Sequence, residues 1–129
     1  MDGRILLDTN IVIAIFARDA AVLKQLQTAQ EVFVPSIVLG ELYYGALNST
    51  HSTQNIARLE AFSAACAVVD CNAETSVYYG DVKFMLKKKG TPIPENDIWI
   101  AALACQHELI LISRDSHFNF VETLDTTVW

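Results

Sequence analysis

Four short, uninterrupted apolar runs constrain this chain more than any other feature: Ile5-Leu6-Leu7, Val32-Phe33-Val34, Ala67-Val68-Val69 and Leu109 to Ile112. None is long enough to read as a buried helix. None alternates with polar residues, as a strand wetted on one face would. Between them lie helix-period segments. Asp8 and Asn10 supply turn or cap chemistry ahead of an apolar helix to about Arg18. Asp19 caps a short helix with Val22, Leu23, Leu26 and Ala29 on one face. Pro35 closes the second run, and Ser36 is placed as the cap of a helix to about Leu47. After a polar break from Asn48 to Thr53, Ile56, Leu59, Phe62 and Cys66 recur at helical steps. Asn72 opens a helix carrying Tyr78, Val82, Met85 and Leu86, which stops at Gly90 with three lysines in its last turn. Pro92 and Pro94 stiffen the next loop, and Asn96 is placed as the start of a helix to about Gln106. The tail from Phe118 is left open between helix and strand. Buried strands alternating with helices predict an α/β fold with a parallel sheet covered on both faces. Ligands of such sheets bind outside the carboxyl ends of the strands.

Composition narrows the class further. A chain of 129 residues that is 52% apolar and 19% charged buries a sizeable core and excludes a disordered chain. No repeat or linker divides it, so residues 1–129 are expected to form a single domain. Cys66, Cys71 and Cys105 are odd in number and form no CxxC pair. That excludes a disulfide framework or thiolate zinc site and fits a reducing cytoplasm. The apolar run Ile11 to Ala17 is too short to cross a bilayer. Asp2 offsets Arg4, and Asp8-Thr9-Asn10 interrupts the apolar stretch, so the amino terminus reads as structure rather than a leader. Fifteen acids against nine Lys and Arg give a net charge of −6, which argues against nonspecific nucleic-acid binding.

Four acids stand out by context. Asp8 follows the first strand and Asp115 the last, so both fall on the carboxyl edge of the predicted sheet. Glu41 interrupts an apolar helix, with Ile37, Val38, Tyr44 and Gly45 one turn away, and is expected on a core face. Asp97 starts a helix, with Ile100 and Ala101 one turn on. If the four converge, each pair 4 Å apart costs about 4 kcal/mol at an effective dielectric of 20, so cations must sit among them. Oxygen ligands without Cys or His favour Mg²⁺ or Mn²⁺, and the usual chemistry of such a site is phosphodiester hydrolysis. Plainer roles exist for three of them: Asp8 and Asp97 as helix caps, Asp115 as a turn residue. Spacing alone does not bring the four together.

The stretches Leu6-Leu7-Asp8-Thr9-Asn10, Pro35-Ser36 through Gly40-Glu41-Leu42 to Gly45, Asn96-Asp97-Ile98-Trp99-Ile100-Ala101-Ala102, and Ser113-Arg114-Asp115 before His117-Phe118 run the length of the chain. In this order and spacing they resemble PIN domains, specifically the VapC toxin ribonucleases of type II toxin–antitoxin modules. The resemblance implies a three-layer fold with a central parallel sheet of four or five strands. It implies that Asp8, Glu41, Asp97 and Asp115 bind Mg²⁺ or Mn²⁺ and activate water for RNA cleavage. It also implies a homodimer and a small VapB-like antitoxin, and offers structured tRNA as substrate class. Ser113 stands where many relatives have Thr, keeping a hydroxyl able to orient a carboxylate.

Beside the acids, Thr9, Asn10, Ser36 and Asn96 are supporting candidates, although capping also accounts for the last three. Arg114 is a candidate phosphate ligand. Lys83, Lys87, Lys88 and Lys89 suit an RNA backbone, but the last three also suit a helix terminus. Tyr43 and Tyr44 suit base stacking, a dimer interface or core packing. His51, His107 and His117 have no metal-ligand spacing; His117 lies near Asp115 and is given no catalytic role. A haloacid-dehalogenase-type phosphatase needs an acid where Asn10 stands. A receiver domain needs paired acids after the first strand, a mid-chain phosphoacceptor Asp and a late Lys, which the sequence does not supply. A PIN-domain processing nuclease without an antitoxin stays open.

Overall fold

The computed structural model describes residues 3–129; Asp2, used above in reading the amino terminus, lies outside them. The chain runs β1 (Arg4–Leu7), α1 (Thr9–Phe16), α2 (Ala20–Leu26), β2 (Glu31–Pro35), α3 (Ser36–Leu47), α4 (Ser52–Ala65), β3 (Ala67–Val69), α5 (Ala73–Lys89), α6 (Glu95–His107), β4 (Ile110–Ile112), a 3₁₀ turn (Ser116–Phe120) and β5 (Thr126–Thr127). The five strands form one sheet in the order β3-β2-β1-β4-β5, parallel at every pairing. The apolar runs became the four longer strands, and the undecided tail supplies both the 3₁₀ turn and the short β5.

Strand order places the site. The chain builds outward from β1 through β2 to β3, then crosses back to lay β4 on the other side of β1. Successive crossovers therefore leave β1 and β4 in opposite directions, opening a crevice at their carboxyl ends. Leu7 pairs with Ile112, so the next residues on each strand, Asp8 and Ser113, emerge side by side. The Asp8 N–H donates to the Ile112 carbonyl at 3.0 Å.

Leu6, Leu7, Ile11, Val12, Val34, Val38, Ile100, Leu103, Leu111 and Phe118 form the centre of one apolar core. Two helix starts differ from expectation. Ser36 and Asn96 are not caps: α3 and α6 begin behind Pro35 and Pro94, which occupy the N-cap positions without a side-chain hydrogen bond. Proline fixes an extended-compatible φ there, and the cap lies one residue before Ser36 and two before Asn96. By contrast, Asn72 caps α5 through a capping box with Thr75, and Gly90 ends it at φ +71°. The cysteines are free, and among the described residues no helix is long and apolar enough to cross a membrane.

Candidate metal centre

Asp8 is 5% exposed at the amino terminus of α1. One carboxylate oxygen accepts the Thr9 N–H at 2.8 Å. The other accepts the Ser113 hydroxyl at 2.7 Å, with the Asn10 side-chain amide at 3.4 Å. Ser113, itself buried, also accepts the Asp115 N–H at 2.9 Å, so one hydroxyl sets both acids. The Asn10 side-chain oxygen accepts the Arg114 N–H at 3.1 Å and holds the same loop against α1. Asp115 caps the 3₁₀ turn by accepting the His117 N–H at 2.9 Å. Asp97 lies in the first turn of α6, where a negative charge suits the helix dipole.

The acids share one electrostatic field. Burial pushes the Asp8 carboxyl above its ordinary value, and the charges of Glu41 and Asp115 push the same way; hydrogen bonds from Ser113 and Thr9 oppose them. Burial likewise raises Asp97, with Asp115 and Asp8 adding repulsion and His117 opposing. Of the plain readings, Asp8 does cap α1 and Asp115 caps the 3₁₀ turn, whereas Asp97 lies inside α6 behind Pro94 and is no cap; all three also take part in this field.

Glu41 corrects one expectation. It is exposed, not buried on a core face. Of its neighbours one turn away, Val38 is buried, whereas Tyr44 is 71% exposed. The core face of α3 is Val38, Leu39, Leu42 and Ala46, and Glu41 stands beside it. There its carboxylate accepts the Thr9 hydroxyl at 2.8 Å and borders a cleft of about 260 Å³ lined by Ile13, Phe16, Leu42 and Arg58.

The supporting candidates divide. Thr9, Asn10 and Ser113 each contact an acid; Ser36 and Asn96 hydrogen-bond to none of the four among the described residues. Arg114 does not face the acids as a free phosphate ligand. Its guanidinium pairs with Asp19 at 2.9 Å and donates to the Trp129 carbonyl at 2.8 Å. Lys83 pairs with Glu95, Lys89 with Glu122, and Tyr43 packs on the core. His117 is the residue that sequence reasoning undervalued. Its Nδ1 lies 3.0 Å from Asp115 Oδ1 and 3.3 Å from Asp97 Oδ2. One ligand atom from each of these three residues falls within 4.8 Å of the others. The signal was present as an Asp-capped turn placing a histidine two residues after an acid.

Comparisons with known proteins follow this geometry. The family model described as PIN domain matches residues 5–123. A Haemophilus influenzae protein named Ribonuclease VapC2 is 39% identical over 127 residues, 96% of each chain. A Shigella flexneri protein named tRNA(fMet)-specific endonuclease VapC is 31% identical over 98% of each. Among solved structures, VapBC from Salmonella typhimurium bound to DNA superposes with a TM-score of 0.91 at 26% identity, covering 100% of this chain and 99% of that one. VapBC2 from Rickettsia felis, bound to a DNA fragment from its promoter, gives 0.88 at 29% identity over 96% and 97%. With a parallel sheet that opens between β1 and β4, acids gathered at that opening and these relatives along nearly its whole length, the chain belongs to the PIN-domain family and, within it, to the VapC ribonucleases.

Proposed function

We propose that the chain is a divalent-metal-dependent endoribonuclease and the toxin of a type II toxin–antitoxin module, with Asp8, Glu41, Asp97 and Asp115 as its catalytic acids. The observation that carries this is the gathering of Asp97 and Asp115 within ligand distance, beside Asp8, whose own charge meets those of Glu41 and Asp115. The donor set fits Mg²⁺ or Mn²⁺: it is rich in carboxylate oxygen, and burial, with repulsion added, already raises two of its members. Such an ion, when bound, neutralises charge on a phosphodiester and acidifies a coordinated water. The chain's own work is to hold and orient. Ser113 and the Thr9 N–H fix Asp8, Ser113 also fixes Asp115, and Thr9 turns Glu41 toward the same edge.

Purified protein free of any partner should cleave RNA with Mg²⁺ or Mn²⁺ and stop with EDTA. Asp8→Asn or Asp97→Asn should reduce cleavage by at least about 100-fold with the circular-dichroism spectrum unchanged. Undiminished cleavage by either variant rejects the assignment. The Shigella flexneri relative's name makes tRNA the first substrate to try.

The proposal extends to a cytoplasmic homodimer inhibited by a VapB-like antitoxin. Support comes from the solved VapBC complexes of relatives and from the apolar cleft beside Glu41. A cluster of carboxylates attracts Arg or Lys, so the antitoxin is expected to place a basic side chain among them. Removing the basic segment from the carboxyl-terminal part of the neighbouring antitoxin should release cleavage. Full inhibition by a fragment lacking every basic residue there contradicts this mode.

A further inference from the structure

We propose that His117 is a direct ligand of the metal centre, through Nδ1, and that it tilts the site from Mg²⁺ toward Mn²⁺. The inference rests on the metal-dependent reading above and concerns a residue outside its four acids. The 3₁₀ turn places the imidazole firmly. Phe118, the next residue, is fully buried, and the Asp115 carboxylate caps the turn through the His117 N–H. From that anchored position Nδ1 sits 3.0 Å from Asp115 Oδ1 and 3.3 Å from Asp97 Oδ2.

These separations match a shared ion. Ligand atoms held at about 2.1 Å on adjacent corners of an octahedron lie about 3 Å apart. Both measured separations meet that spacing, and the ligand atoms of Asp97 and Asp115 also lie within 4.8 Å of each other. Two acids converge on the same nitrogen, one from α6 and one from the residue that caps the 3₁₀ turn, which places three donors where one cation can bridge them. The side chain is 45% exposed, and Nδ1 is the ring nitrogen turned toward both acids. Mg²⁺ prefers oxygen and retains water, whereas first-row transition ions accept imidazole. Exchanging an oxygen ligand for nitrogen therefore costs Mg²⁺ affinity and favours Mn²⁺.

The test is metal binding by the full chain, purified without any partner. Mn²⁺ is titrated by loss of the free-ion electron paramagnetic resonance signal, and Mg²⁺ by competition against it. Pulsed spectra of the bound Mn²⁺ read directly coordinated nitrogen. Wild type and a His107→Ala control should show nitrogen coupling, and His117→Ala should lose it. The same variant should weaken Mn²⁺ binding by about tenfold or more and Mg²⁺ binding by much less, narrowing the preference. If His117→Ala does not fold, His117→Gln is read in the same way. Absence of nitrogen coupling in wild type, or binding of both ions by the variant as tightly as or more tightly than wild type, overturns ligation and makes His117 a cation that competes with the metal. Failure of wild type to bind either ion instead overturns the metal reading on which the proposal rests.

Discussion

At the scale of single residues, Asp8 carries the most consequence. A carboxylate buried this deeply is held in place by Ser113, Asn10 and the Thr9 N–H, yet burial and its acidic neighbours still raise its proton affinity. Above the ordinary value of 3.8, Asp8 and Asp97 therefore hold more protons in the folded protein than in the unfolded chain. Stability that Asp8 and Asp97 leave intact at lower pH is lost as pH climbs from that value through their raised range. Asp19 and Glu95 shift the other way, and their contribution cancels in a difference between variants. Asp8→Asn removes one rising penalty. In EDTA, its denaturation midpoint relative to wild type should increase as pH rises above the ordinary value and then level off once Asp8 is fully ionised. A flat or falling difference would mean that the fold imposes no such penalty on the Asp8 charge. The sequence disclosed Asp8 because a strand ends there, and Asp115 for the same reason. Glu41 was recognised, but its surroundings were misjudged: Val38 enters the core, whereas Glu41 and Tyr44 on the same helix are exposed, and Glu41 borders a cleft. Periodicity reports that a face is apolar, not what covers it.

At the scale of elements, the strands were legible because continuous apolar runs have few alternatives once helices separate them. The starts of α3 and α6 were not, because Pro35 and Pro94 compete with Ser36 and Asn96 for the N-cap position and win by backbone geometry. The 3₁₀ turn was unreadable for another reason. It depends on tertiary burial of Phe118, while its local sequence, Ser116–Phe120, favours no regular structure. That dependence is measurable. Phe118→Ala should cost about 3–5 kcal/mol of unfolding free energy. It should also release Asp115 and His117 together, so Mn²⁺ affinity should fall in the folded fraction. Unchanged Mn²⁺ binding alongside the stability loss would show that the turn needs no anchor.

For the whole molecule, four acids at one sheet edge make stability depend on what neutralises them. Metal that binds only the native state adds RT ln(1 + [L]/Kd), about 2.7 kcal/mol at a hundredfold excess over Kd. Wild type in saturating Mn²⁺ should therefore unfold at higher denaturant than in EDTA, and Glu41→Gln should shrink that gain. An undiminished gain in Glu41→Gln would remove Glu41 from the ligand set. The net charge of −6 gave no hint of an RNA-acting family, because it sums over the surface while the chemistry depends on one crevice.

The side-by-side emergence of Asp8 and Ser113 has a consequence for synthesis. The two residues are 105 positions apart, since β1 is the first strand made and β4 nearly the last. At about 5–20 residues per second, ribosomes need on the order of 5–20 s to pass from one to the other. Throughout that interval the nascent chain has an Asp8 without its serine, no Asp115, and an unpaired flank on β1 where β4 belongs. A polypeptide interrupted before residue 113 keeps Asp8, Glu41 and Asp97 but lacks the hydroxyl that fixes Asp8 and the acid that faces His117. For a protein proposed to cut RNA in the cell that makes it, the proposed centre is then complete only once β4 has docked on β1.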